Sequence, residues 1–295
     1  MVSGRYDIIE AEEPKGPRRW IGAVVLAALV AVPVVSMLTS RQPAATTPFP
    51  TSVPVPSASM GEQVPNVLHP PVRRRDGWET VRAVFPDGGK AELRYPAELR
   101  IAQLGVRPAQ GGWLEGYFGL FRWLTTPGGG AAELSGRRPM IREMGEKVTL
   151  WPARNPDDGQ VMVFDFAPWS LALQDGREGM TFEQRMLWAE NLKGKVTKDG
   201  YLVLAPRLPV RLAAPGQIFG KELVGPQLWF GGARETLIVL APIPGCDITS
   251  IELPMIEQRR RFSAEMCQNG FYVAASGSRG SVEQIMAGLR VTPAK

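Results

Sequence analysis

The chain has 295 residues, 44% of them hydrophobic and 21% charged, with a formal net charge of +5 from 34 basic and 29 acidic side chains. Such a length supports one large domain or two small ones with a substantial core, and so weak a positive charge leaves no electrostatic footprint for nucleic acid. The single histidine, His69, excludes most imidazole chemistry, because Ser-His-Asp units, Cys-His units and the usual catalytic zinc sites all need that ring beside the reacting group.

Residues 1–20 form a short polar head, and the run from Ile21 to Leu38 then gives eighteen residues without a charge. At ~1.5 Å per residue that run is roughly 27 Å long, close to the ~30 Å thickness of a hydrocarbon layer, so a transmembrane helix is expected over 21–38. Lys15, Arg18 and Arg19 precede it while only Arg41 follows closely, which places the N-terminus in the cytoplasm and everything after the span outside. Trp20 stands at the headgroup level. The rival is a cleaved secretory signal, for which Val34 and Ser36 are the sole small-residue cleavage pattern; the uncleaved anchor fits the run better. Residues 39–71 carry Pro at 43, 48, 50, 54, 56, 65, 70 and 71, a composition that favours extended conformers and makes a semi-rigid stalk. His69 lies in that stalk, and Arg73, Arg74 and Arg75 close it as a solvated basic cluster.

Residues 72–295 are expected to form an extracytoplasmic α+β domain in which strands dominate, with two or three short helices. WETVRAVF, the PDGG cluster and KAELRY predict a β-hairpin. Further strands are expected at KVTLW, QVMVFDF, WSLAL, YLVLA, VRLAA, QLWF, TLIVLA and FYVAAS, many bounded by Gly or Pro. Thr181-x-x-Gln184 and Ser281-x-x-Gln284 have the spacing of capping boxes and predict helices over TFEQRMLWAENL and SVEQIMAGL. In the first, Phe182, Met186 and Ala189 recur at helical spacing and should face the sheet. A third helix is expected between Met255 and Cys267.

Two cysteines outside the cell read as a disulfide, Cys246–Cys267. They are the only site residues the sequence assigns; it nominates no catalytic residue, cofactor-binding residue or metal ligand, since HExxH, GxSxG, Walker, GxGxxG and EF-hand patterns are absent from 72–295. What remains for catalysis is a carboxylate pair or a serine with a lysine base. Asp157-Asp158 sit in the turn sequence NPDDGQ. Asp165 interrupts the apolar stretch QVMVFDFAPWSLAL, where a carboxyl could have a raised pKa, although strand alternation equally turns it to the wet face with Val163. Tryptophans at 78, 113, 123, 151, 169, 188 and 229 serve either a core or a carbohydrate-stacking surface.

The stretches FPDGGKAELRYPAELRIAQLGVRP (85 to 108) and MTFEQRMLWAENLKGKVTKDGYLVL (180 to 204), together with the ending GLRVTP, resemble uncharacterised single-pass membrane-anchored proteins of high-GC Gram-positive, actinobacterial bacteria. Arginine outnumbering lysine, 26 to 8, agrees with that coding bias. The resemblance implies a surface-exposed domain and carries no functional residues with it. The expected function is a membrane-anchored, non-catalytic module that binds cell-wall polymer or a protein partner. A histidine-independent hydrolase using carboxylates is the alternative, and a transmembrane sensor a weaker third.

Overall fold

The structure, a computed structural model, describes residues 66–294 apart from 118–119, 129–130, 177–178, 233–235, 248–250 and 260. The expected anchor and the stalk up to residue 65 lie outside the described residues, and among those described no helix is long and apolar enough to cross a membrane. The elements in chain order are β1 (Val72–Arg75), β2 (Trp78–Val84), β3 (Lys90–Pro96), β4 (Val106–Leu114), β5 (Phe121–Thr125), α1 (Ala131–Leu134), β6 (Arg142–Gly145), β7 (Val148–Pro152), β8 (Gln160–Phe166) and β9 (Trp169–Gln174). There follow α2 (Phe182–Asn191), β10 (Leu192–Val196), β11 (Leu202–Pro206), β12 (Val210–Leu212), β13 (Ile218–Phe219), β14 (Glu222–Leu223) and β15 (Gln227–Gly231). The chain ends with β16 (Leu237–Pro242), α3 (Pro254–Glu257), β17 (Phe262–Gln268), β18 (Phe271–Gly277), α4 (Arg279–Gly288) and β19 (Arg290–Pro293). The architecture is strand-rich α+β, as expected.

One long antiparallel sheet organises the fold, in the order β17-β18-β16-β15-β4-β5-β9-β8-β7-β6, with β12 also paired to β4. Its back face is covered along its length. A second sheet, β1-β2-β3-β19, packs with α4 against the β15–β18 half through Val81, Leu93, Phe230, Leu240, Val273 and Ile285. The helix α2 and the β10–β11 hairpin cover the other half, where Trp188, Leu192 and Leu204 meet Leu124, Phe164 and Leu173. β16 and β18 are buried on both faces and accordingly read as continuous apolar runs rather than alternating ones. Towards its ends the front face of the sheet is covered by two short segments. Ile251, Leu253 and Ile256 lie over Val239, Tyr272 and Ala274, while Ala131 and Leu134 lie over Val161, Val163 and Ala172.

The Thr181 cap forms a complete capping box: its Oγ1 accepts from the Gln184 amide at 3.2 Å and the Gln184 Oε1 accepts from the Thr181 amide at 2.8 Å. The inward face of α2 is the expected one at Met186 and Ala189, which pack on the core beside Trp188, and departs from it at Phe182. Trp188 and Ala189 are buried, whereas Phe182 is 46% exposed and stands 5.2 Å from the Arg142 guanidinium. In α4 the cap is Ser278, one turn earlier than Ser281; its Oγ accepts from the Ser281 amide at 3.3 Å, because Ser278-x-x-Ser281 offers an equivalent hydroxyl that lengthens the helix. The helix expected from Met255 to Cys267 is reduced to the single turn α3. Phe262–Gln268 instead pairs with Phe271–Gly277 across the two-residue turn Asn269–Gly270, both at positive φ, a geometry in which a strand ladder replaces helical bonds.

The described residues begin at Asn66, inside the segment whose composition reads as stalk. The buried Asn66 amide donates to the Pro127 carbonyl at 3.3 Å and its oxygen accepts from the Ser170 amide at 2.7 Å, and Leu68 bridges Val106. These polar partners are satisfied by the protein and would be stranded without it. A chain shortened to begin at residue 72 is therefore expected to unfold at lower denaturant than one beginning at residue 61, by about 1–3 kcal/mol for the lost Asn66 bonds alone; equal midpoints in urea would show that these residues contribute nothing.

Candidate functional site

Between the two segments that cover its ends, the front face carries a trough. Strand register sets its floor: Thr125, Ala109 and Gln227 lie in one row across β5, β4 and β15, and the next position pairs Gly111 with Trp123; Thr125, Gln227 and Trp123 line the space, while Ala109 is buried. On one side the wall is β14 and the segment carrying α3. This half is a groove of about 460 Å³ lined by Trp123, Trp229, Glu222, Gln174, Gln227 and Gln258 over an apolar edge of Leu223, Leu253 and Met255. That volume falls within the roughly 300–1,000 Å³ of small-molecule sites. On the other side, between α1 and the Arg154–Asp158 turn, lies a polar cleft of about 290 Å³ lined by Glu133, Arg154, Asn155 and Asp158. Gln174 lines both spaces and stands between them.

The groove's polar groups are held by short local bonds. Gln227 is buried; its amide donates to the Leu223 carbonyl at 2.6 Å and its oxygen accepts from the Trp229 indole at 2.8 Å, fixing Trp229 at the rim. Burial pushes the Glu222 carboxyl above its ordinary pKa, opposed in part by a hydrogen bond from Trp123. Glu222 reaches the groove on the β13–β14 hairpin, and Phe219 of that hairpin stacks on Phe121 at 4.7 Å and meets Trp113 edge-on at 6.2 Å. Arg211 lies 4.4 Å over the Trp113 ring, completing an aromatic clamp that holds the hairpin to the sheet.

The α3 segment of the same wall lies in the loop closed by the disulfide. Cys246 and Cys267 are bonded, as expected, with Cα atoms 5.8 Å apart, and the loop they close contains Leu253, Pro254, Met255 and Gln258 of the groove. The same segment is tied to the hairpin through the Glu222–Glu252 bridge and the Lys221–Glu252 ion pair.

The tryptophans divide between the core and the front face. Trp188 and Trp169 are core, the latter donating to the Gly200 carbonyl at 2.8 Å, while Trp113, Trp123 and Trp229 are half-buried on the front face. Asp165 is exposed at the β8–β9 turn, where its Oδ1 accepts from the Ala167 amide at 2.9 Å; it caps a turn and lies outside both halves of the trough. Asp157 and Asp158 are in a 3-10 turn, and Asp158 Oδ2 accepts from Asn155 at 3.0 Å. Sequence reasoning did not single out Glu222, Gln174, Gln227 or Gln258. They come from four separated segments and share no motif, so only the register brings them together. Among the described residues no group of three or more His, Cys, Asp or Glu is placed to hold a metal ion. Comparison with protein-family models, with curated proteins and with solved structures finds no match.

Two outcomes follow from this geometry. The Cys246→Ala, Cys267→Ala double variant should lose about 3 kcal/mol of stability for a loop of this size, read as a lower urea midpoint under oxidising conditions; an unchanged midpoint would remove the bridge from the groove's support. Because Glu222 has a folded pKa above its unfolded one, its contribution to stability is complete below the unfolded value and is lost as pH rises through the folded value. Relative to Glu222→Gln, the wild type should therefore gain stability as pH is lowered from neutral into the carboxylate range. Parallel pH profiles for the two proteins would contradict this.

Proposed function

We propose that the body is a non-catalytic module that binds an uncharged polysaccharide chain in the groove half of the trough, and that an N-terminal membrane span carries it outside the cell. The observation that supports this most directly is the joint placement of two half-buried indoles with three amide side chains and one carboxylate. Sugar rings present flat apolar faces to indoles and hydroxyls at their edges; Gln174, Gln258 and Glu222 offer planar donors and acceptors at that level, while the buried Gln227 holds Trp229 in place. Among the described residues Glu222 is the one ionisable side chain lining the groove, which suits a neutral ligand. The Cys246–Cys267 disulfide fits an oxidising, extracytoplasmic compartment. A hydrolase of the two-carboxylate kind requires acids roughly 5–10 Å apart across the bound sugar, and the groove offers a single carboxylate, which favours binding over bond cleavage.

The test is retention of the full chain, in mild detergent, on purified insoluble cell-wall glycan at low and high salt. Stacking and hydroxyl contacts predict retention that persists at high salt, since screening acts on charge pairs. Trp123→Ala and Trp229→Ala should each weaken it about tenfold, the equivalent of ~1.4 kcal/mol and within the range of aromatic contacts. Absence of retention, or retention that both variants leave intact, would overturn the reading.

A further inference from the structure

The cleft beside the groove has a different chemistry, and that difference identifies the ligand more closely. Arg154 and Glu133 line the same space, both exposed, and among the described residues neither is in an ion pair with the other or with any other side chain. Asp158 adds a second, half-buried carboxylate, one oxygen of which accepts from Asn155. Exposed and unpaired, these charges are accessible to ligand groups of both signs: a carboxylate on the guanidinium, which binds it in a fork, and an ammonium at Glu133 and Asp158. The cleft, about 290 Å³, is at the lower limit of a ligand site and suits a substituent better than a whole ligand. Gln174, at the boundary, is exposed and lines both halves.

We infer that the trough takes a glycan bearing short zwitterionic peptides, the sugar chain in the Trp123–Trp229 groove and the peptide, with its free carboxylate and free ammonium, in the Arg154–Glu133 cleft. This inference rests on the glycan reading of the groove and narrows it from polysaccharides in general to peptide-substituted ones.

The experiment measures affinity of the full chain for three soluble probes by calorimetry: an oligosaccharide carrying a peptide with free carboxylate and ammonium, the same oligosaccharide without peptide, and the free peptide. The expected result is that the conjugate binds at least tenfold tighter than the bare oligosaccharide, and that this ratio falls towards one in Arg154→Gln and in Glu133→Gln. The advantage should also shrink at high salt, as charge pairing requires. Urea midpoints equal to wild type establish that both variants fold. Equal binding of conjugate and bare oligosaccharide would overturn the inference while leaving the glycan reading standing. Binding of the free peptide as tight as that of the conjugate would overturn the inference and the glycan reading together, and so would binding of no probe at all. A ratio that both variants preserve would take the charged cleft out of recognition.

Discussion

The close approach of other elements to β4 is the constraint on which the rest of the molecule depends. This strand uses one edge for β15 and then β12, and the other for the Leu68 bridge and then β5, so both halves of the long sheet meet on it. Its two central residues are glycines for opposite reasons. A Cβ at Gly111 would lie 2.5 Å from the Phe121 ring on the front, and one at Gly112 would lie 3.0 Å from Trp188 on the back. With any larger side chain at these positions, neither the aromatic clamp of the β13–β14 hairpin nor the packing of α2 could sit where it does.

That constraint also accounts for the asymmetry between the faces. The back of the sheet is buried by two separate covering layers, each with its own apolar cluster. On the front, short segments cover either end and the β13–β14 hairpin packs on Phe121 and Trp113, which leaves Trp123 and Trp229 half-buried between them. Indoles left half-exposed in such a position forgo part of the burial free energy available to them, and surfaces of that kind are where soluble proteins keep their contacts with partners.

Much of the fold was legible in the sequence. The β2–β3 hairpin, β7 to β9, β11, β15, β16 and β18 all follow from period-two or continuous apolar runs between turn residues. Two hairpins were missed although their signal was present: Asp76–Gly77 joins β1 to β2 and Asn269–Gly270 joins β17 to β18, each a two-residue turn at positive φ. The arginine run of β1 and the mixed sequence of β17 obscured them, because both are edge strands with largely exposed faces. β4 was illegible for a physical reason, since Pro108, Gly111 and Gly112 argue locally against a central strand and only tertiary packing requires them. The site was less legible still. Trp123 and Trp229 could be nominated by type, whereas the amides and Glu222 acquire meaning only once four distant segments are brought onto one face.

The Asn66 latch has a mechanical meaning. Its two bonds end on Pro127, which borders the charged cleft, and on Ser170 in β9, the strand that contributes Gln174 to the trough. Any pull on the chain at Asn66 would thus reach the body beside the charged cleft. It would load the Asn66 bonds to Pro127 and Ser170 and the Leu68 bridge to Val106 before the covering layers.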